Sequence, residues 1–187
     1  SMIAGLLAHP IRVRPNDRAV MEFLAFNLEQ HNGDTFFEPI RSLRPGHLLV
    51  YDLKSRHSQV TQWYRPAPRG SVDEETLLRE FTDSVKRWTV SDVPLGVCLS
   101  GGIDSTAITC TLDRHLGQPF NTYSLVAPGS PVDERKYIDE VGRHTRTRPF
   151  FTTVRPDDFL RDVHDFVACM EEPVAGLSAY AQYQVFK

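Results

Sequence analysis

The fold of this chain is decided by residues 93–105, VPLGVCLSGGIDS. The apolar run that opens this stretch is typical of a buried β-strand, and helical spacing follows it at Ile103, Ala107, Ile108, Leu112 and Leu116. A strand is therefore predicted to turn directly into a helix at two glycines. Glycine allows torsions and close approaches that a Cβ would prevent, and the first amides of a helix have no intrahelical acceptor. The turn is predicted to bind an anion.

The polar side chains of this turn suit a polyphosphate. Ser100 and Ser105 add hydroxyl donors. Asp104 would repel a phosphate unless a divalent cation lay between them, which indicates Mg²⁺. The chain has neither G-x-x-x-x-G-K-[ST] nor G-x-G-x-x-G, which disfavours kinase-like and dinucleotide-binding functions. A glycine-rich turn without a ligand is the alternative interpretation.

Several segments carry a family resemblance. Residues 100–105, SGGIDS, resemble the PP-loop of the ATP pyrophosphatase superfamily, S-G-G-x-D-S. With their flank, residues 91–105 are similar to the entry of the synthetase domain in glutamine-dependent asparagine synthetases, where D-V-P-hydrophobic-G precedes L-S-G-G-L-D-S-S. Three other segments resemble parts of that family: LVAPGSP at 125–131 followed by Asp133, Glu134 and Tyr137; Glu171-Glu172-Pro173; and TFFEPIRSLRPGH at 35–47, which is similar to the end of the glutaminase domain.

The resemblance implies a fold and an ATP site. The fold is α/β, a parallel sheet with helices on both faces like that of the adenine nucleotide alpha hydrolases, preceded by a small α+β segment. The residues assigned to ATP binding are Leu99, Ser100, Gly101, Gly102, Ile103, Asp104, Ser105 and Leu125, with Asp104 as the Mg²⁺ ligand. Glu134 and Glu172 are weaker candidates, because acids near helix starts are often caps. Tyr180 and Tyr183 are assigned to the core in preference to a substrate pocket.

The implied reaction is ATP-dependent amide synthesis. ATP adenylates a carboxylate of aspartate type, pyrophosphate leaves, and nitrogen from glutamine or ammonia attacks the acyl adenylate. Two alternatives stay open: a homologue that closes β-lactam or peptide macrolactam rings, and a nucleotide-binding subunit without catalysis.

The expected domain organisation is that of a middle fragment, inactive by itself. Residues 1–65 are assigned to the end of a glutaminase-like domain, 66–72 to a linker containing Pro66-Ala67-Pro68, and 73–187 to the first part of the synthetase domain. Ser1-Met2 is interpreted as an expression remnant, and Ser1 is not expected to be a nucleophile. The aromatic side chains before the linker, Phe23, Phe26, Phe36 and Phe37, are predicted to lie exposed for want of the strands they would pack against, so that the segment either folds back on the synthetase part or pairs with another molecule.

Periodicity and turn residues predict the elements. Asn16 is expected to cap a helix over 17–30, and Ser71–Glu74 to form a capping box for a helix with an apolar face at Leu77, Leu78, Phe81, Val85 and Trp88. A hairpin is predicted from strands at 47–52 and 59–64. The alternating strands and helices predicted after it lie at 95–99, 103–116, 121–127, 133–144, 149–154 and 157–170.

Composition excludes some functions. The formal net charge of the 187 residues is −3, which disfavours a nucleic-acid surface, so the basic run Arg143, Arg146 and Arg148 is interpreted as a solvated helix end. Three cysteines without a C-x-x-C spacing indicate a reduced cytoplasmic location, with Cys98 and Cys110 predicted to be buried. No run approaches membrane-spanning length. A homodimer is compatible with the sequence.

Overall fold

The computed structural model describes residues 2–68 and 70–187, which contacts divide into two units. The first comprises Ser1–Gly70 with Val167–Ala175, and the second comprises Ser71–Phe166 with Gly176–Lys187. Residues 167–175 belong to the first unit although they lie far along the chain from the rest of it. The predicted domains, which are consecutive segments, do not anticipate this. Ser1, considered above as a nucleophile, and Arg69 of the expected linker lie outside the described residues.

Two helices and a hairpin form most of the first unit. The elements are α1 (Ile3–Leu7), α2 (Asp17–Phe26), β1 (His47–Asp52) and β2 (His57–Gln62), with β1 and β2 antiparallel. The Asn16 side chain caps α2 by accepting from the Ala19 amide at 3.3 Å, as predicted. The helix ends four residues earlier than predicted, because Asn27 adopts a left-handed φ of 56°.

The hairpin turn is organised by Asp52, whose carboxylate accepts from the amides of Lys54 at 2.8 Å and Ser55 at 2.6 Å. This tight turn starts β2 at His57, two residues before the predicted start. Every β2 side chain is exposed.

Phe36 corrects the prediction that the aromatic side chains of this segment lie uncovered. It is buried, at 8% exposure, and its ring packs edge-on against Phe23 with centroids 5.5 Å apart. Its amide donates to the Glu172 carboxylate at 3.0 Å. Phe37 is half-buried, and Phe26 is exposed as predicted. The first unit therefore has a small core of its own.

The second unit is an α/β sheet, which confirms the predicted fold class. Its elements are α3 (Glu74–Arg87), β3 (Gly96–Cys98), α4 (Ile103–Leu116), β4 (Phe120–Val126), α5 (Arg135–His144), β5 (Thr147–Thr153), α6 (Pro156–Met170) and α7 (Ser178–Phe186), although the last turn of α6, from Val167, is assigned to the first unit. The strands are parallel in the order β3-β4-β5. Of these elements, α7 was not predicted, and neither was α1 in the first unit.

Helices pack on both faces of this sheet. On one face, Ile138 and Val141 of α5 form a buried core with Leu99 and Val126. On the other, α7 packs against β4. Among the described residues, no helix combines the length and apolar character needed to cross a bilayer.

The cap and the apolar face of α3 differ from the prediction. Asp73, not Ser71, is the N-cap, because its carboxylate accepts from the Thr76 amide at 2.8 Å. The predicted apolar face exists but is largely uncovered: Leu77 and Leu78 are exposed, and Trp88 is 84% exposed.

Arg146 stays half-exposed, as the solvated basic run predicted, but it also makes specific contacts. Its backbone amide donates to Asp113 Oδ1 at 2.8 Å, and its guanidinium donates to both carboxylate oxygens at 3.1 and 3.2 Å and to the Gly117 carbonyl at 2.9 Å. These bonds hold the pKa of the nearly buried Asp113 carboxyl below its usual range. The contact ties the end of α4 to the start of β5.

Candidate functional site

The turn between β3 and α4 needs a glycine at position 101. Gly101 has a φ of +80°, in the region that favours glycine. A Cβ at this position would lie 3.0 Å from Tyr137 Cβ and 3.2 Å from the Glu134 carbonyl oxygen. The loop therefore lies directly against the start of α5, at a distance that only a glycine allows.

The two serine hydroxyls of the loop converge. Ser100 Oγ and Ser105 Oγ lie 3.0 Å apart, and Ser105 Oγ donates to the Gly102 carbonyl at 3.2 Å. Because the Ser105 proton is used in that bond, Ser100 is the donor between the two hydroxyls. The Ser100 backbone amide also donates to Ser105 Oγ, at 3.3 Å. The loop is thus closed on itself before any ligand is bound.

The start of α4 presents backbone donors. Gly102 is the N-cap residue and has no side chain with which to cap the amides of the first turn. The first intrahelical bond runs from the Thr106 amide to the Gly102 carbonyl at 3.0 Å, so the amides of Ile103, Asp104 and Ser105 precede the helical ladder. Together with the helix dipole, these amides favour an anion.

A cleft of about 490 Å³ opens beside the loop, past the ends of β3 and β4. Ligands of parallel α/β sheets bind at such carboxyl ends. The residues lining it are Cys98, Leu99, Ser100, Tyr123, Leu125, Ala127, Val132, Asp133, Glu134, Ser178, Ala181, Gln182 and Val185.

Comparison of the sequence with models of known protein families gives a match. The family model described as Asparagine synthase matches residues 76–187. The chain belongs to the asparagine synthase family. The resemblance noted in the sequence is thereby confirmed, and the matched range contains both the SGGIDS loop and the cleft.

Individual relatives extend the match beyond that range. The chain is 30% identical over 135 residues to asparagine synthetase [glutamine-hydrolyzing] 3 of Bacillus subtilis, covering 67% of this chain and 22% of that protein. It is 28% identical over 158 residues to asparagine synthetase 2 of Arabidopsis thaliana, covering 76% and 25%. Amidase chry2 of Gibberella zeae is 30% identical over 160 residues, covering 70% and 24%. The chain spans about a quarter of the length of these relatives.

The structure brings together only some of the residues that were assigned to ATP binding. Leu99, Ser100 and Leu125 line the cleft, and so does the weaker candidate Glu134. The other assigned residues, Gly101 to Ser105, continue from Ser100 into the loop and the first turn of α4, outside the cleft lining. Glu172 lies in the first unit, where its carboxylate accepts the Phe36 amide.

Asp133 is a functional candidate that sequence reasoning treated only as part of a motif. Its Oδ1 accepts from the amides of Ala127 and Arg135, each at 3.2 Å. These bonds close the loop between β4 and α5, so that Glu134 borders the cleft. The sequence could have indicated this role, because an Asp just before a helix commonly accepts hydrogen bonds from the first amides of that helix.

The α7 wall of the cleft could not be found from the sequence. Ser178, Ala181, Gln182 and Val185 lie more than 50 residues after Leu125, and their periodicity is that of any amphipathic helix. Tyr180 is buried among Phe159 and Phe166 on another side of this helix, with ring centroids 5.0 and 5.3 Å away.

Cys98 is exposed, contrary to the prediction, because it ends the outer strand β3 and borders the cleft. Partial desolvation raises the pKa of its thiol. A thiol that stays protonated at neutral pH is a poor nucleophile. Cys98 is therefore assigned to the cleft wall and not to the role of a nucleophile.

A magnesium site at the loop would depend on Asp104 as its protein ligand. Within residues 2–68 and 70–187, no three His, Cys, Asp or Glu side chains are grouped to hold a metal. Mg²⁺ does not need such a cage, since it commonly uses one or two carboxylates together with phosphate oxygens and water. The exposed Asp104, in the first turn of α4, fits this kind of site.

Proposed function

We propose that this chain carries the pyrophosphate-binding part of an ATP-dependent amide ligase of asparagine synthetase type. The observation that supports this most strongly is the position of the closed SGGIDS loop, at the edge of a cleft past the carboxyl ends of β3 and β4. Membership of the asparagine synthase family supports ATP-dependent amide formation as the class of reaction.

In the proposed reaction, a carboxylate oxygen of an aspartate-like substrate attacks the α-phosphorus of ATP. The bond from that phosphorus to the β-phosphate oxygen breaks, pyrophosphate leaves, and an acyl adenylate forms. Ammonia, supplied free or from glutamine, then attacks the acyl carbon, loses a proton and expels AMP. Negative charge grows on the departing pyrophosphate, so donors aimed at it lower the barrier.

The loop residues would receive this charge. The amides of Ile103, Asp104 and Ser105 would bond to the β- and γ-phosphate oxygens, and the hydroxyls of Ser100 and Ser105 would turn from each other toward them. Leu99 and Leu125 would contact the adenosine moiety from the strand ends. Mg²⁺ held by Asp104 would neutralise phosphate charge.

The remaining assignments are part of the same proposal. The acceptor is aspartate-like, with a lactam-forming homologue and a non-catalytic nucleotide-binding subunit as the alternatives. Residues 1–65 correspond to the end of a glutaminase-like domain, 66–72 to a linker and 73–187 to the first part of the synthetase domain. A cytoplasmic location fits three free cysteines, and the net charge of −3 argues against a nucleic-acid partner. Homodimerisation is compatible with the exposed apolar face of α3.

Calorimetric titration with ATP, with and without Mg²⁺, tests the site, and a pyrophosphate-release assay tests turnover. We expect weak, magnesium-dependent binding and no turnover from this chain. Sustained pyrophosphate release with an amino acid would contradict the expected inactivity, and failure to bind ATP would contradict the site. In longer proteins of this family that contain the same segment, release that depends on aspartate would separate asparagine synthesis from lactam formation.

A further inference from the structure

Asp162 of α6 is a buried carboxylate that the proposed reaction does not use. It is only 4% exposed. Hydrogen bonds from Gln184, Lys187 and Arg161 hold its pKa well below the usual range, so it stays charged. A buried charge is tolerated only where it is fully paired, which makes its partners informative.

The partners of Asp162 come mostly from α7 and the residue after it. Asp162 Oδ2 accepts from Gln184 Nε2 at 2.7 Å and from Tyr180 Oη at 3.4 Å, and it lies 3.0 Å from Lys187 Nζ. Arg161 of α6 itself donates to Oδ1 at 3.1 Å. Positions 180, 184 and 187 follow at spacings of four and three, so they share one face of the helix.

The other face of α7 is a wall of the cleft. Ser178, Ala181, Gln182 and Val185 repeat at spacings of three, one and three, and all four line it. None of them is charged, so this wall suits the neutral nucleoside part of a nucleotide better than the polyphosphate. The phosphates have their own donors at the SGGIDS loop.

The position of α7 depends on tertiary contacts. It has nine residues, and no side-chain cap is present at its start. Helices this short are marginal in isolation. The contacts that place it include its packing against β4, the bonds to Asp162 and the packing of Tyr180 against Phe159 and Phe166.

We propose that Asp162 is a positioning residue for nucleotide binding, which holds α7 so that its uncharged face forms the nucleoside-binding wall of the cleft. The inference rests on the proposed nucleotide site. It goes beyond that proposal by assigning recognition of the nucleoside to a helix, and by making this recognition depend on a carboxylate that faces away from the ligand.

Two ligands separate this role from a general effect on folding. ATP·Mg²⁺ uses both the loop and the α7 wall, whereas inorganic tripolyphosphate with Mg²⁺ uses only the loop. Asp162→Asn keeps the side-chain size but removes the charge that pairs with Lys187 and Arg161. In calorimetric titrations we expect it to weaken ATP binding about tenfold, comparable to the loss of one charge-assisted bond, and to change tripolyphosphate binding less than twofold.

Asp158→Asn is the matched control. Asp158 lies one turn earlier on α6 and accepts from the Arg155 amide at 2.9 Å and from Arg161 at 3.0 Å, without a hydrogen bond or ion pair to α7 among the described residues. Its loss should leave both affinities within twofold. All titrations are made at a temperature where circular dichroism shows the variant to be folded.

If Asp162→Asn does not fold, Gln184→Leu removes one bond to the carboxylate from the α7 side, together with the bond from Gln184 to Tyr180 Oη. We expect it to weaken ATP binding about threefold, with tripolyphosphate binding unchanged. Equal loss of both ligands, or no loss of either, would overturn the role of Asp162 while leaving the nucleotide site in place. If the unmodified chain bound neither ligand, the proposed function would fail, and the inference with it.

Discussion

Replacing Gly101 by alanine tests whether close packing of the loop against α5 shapes the nucleotide site. The substitution places a Cβ on a residue with a φ of +80°, 3.0 Å from Tyr137 Cβ and 3.2 Å from the Glu134 carbonyl oxygen. A non-glycine residue in this backbone region costs about 1–3 kcal/mol. Both neighbours are held by the first turn of a helix, so the loop must move away from them.

The adjacent glycine provides the matched control. Gly102 has a φ of −71° and a ψ of 163°, which any residue adopts, and a Cβ there would meet Ser100 Oγ at 3.4 Å, an ordinary contact. Gly102→Ala should therefore change stability less than Gly101→Ala, because alanine restricts the unfolded chain but is a poorer N-cap residue than glycine.

Thermal unfolding and ATP titration measure the two variants side by side. Each kcal/mol lost should lower the melting temperature by about 2–4 °C in a chain of this size. Gly101→Ala should be less stable than Gly102→Ala and should also bind ATP more weakly, because its shift displaces Ser100 and Glu134 at the cleft. Equal stability of the two variants would refute the claim that contact with α5 restricts the loop.

Three further predictions concern the metal, a buried ion pair and the first unit. Asp104→Asn should abolish most of the magnesium-stimulated part of ATP binding in calorimetry without lowering the melting temperature; the opposite pattern would make Asp104 structural. Asp113→Asn should cost about 1.5–3 kcal/mol in urea unfolding at pH 7. Because the pKa of this carboxyl is lowered in the folded state, its stabilisation is present above the unfolded pKa of about 3.9 and is lost as pH falls through the folded value. A difference from the variant that did not shrink as the pH was lowered below about 3.9 would contradict the pairing with Arg146. In hydrogen exchange, amides of 47–64 should exchange faster than those of 120–126, because the hairpin is exposed whereas alternate residues of β4 are buried; equal protection would contradict this.

Local signals explain which elements the sequence predicts well. The helix predicted over 103–116 matches α4 at both ends, because the glycine turn starts it and Gly117, with a φ of +64°, stops it. The prediction failed where two residues could serve as the N-cap of the same helix. Both Ser71 and Asp73 are suitable N-cap residues before α3, and in the structure Asp73 is the N-cap.

Contacts between residues distant in the chain explain the rest. Phe36 is buried because Phe23 covers it and Glu172 accepts its amide, and neither partner is visible in a local pattern. Cys98 has an apolar context in the sequence but lies on an outer strand, where the sheet does not enclose it.

The sequence by itself determined the strand–glycine turn–helix unit, the α/β class and the asparagine synthase family, because each depends on short-range torsions, hydrophobic periodicity or motif spacing. Only the tertiary structure decided that α7 closes one side of the cleft and that Asp162 holds it there. The physical reason is distance along the chain. The burial of the Asp162 charge and the orientation of α7 toward the cleft depend on packing between distant segments. A local sequence pattern does not reveal which distant segments will pack together.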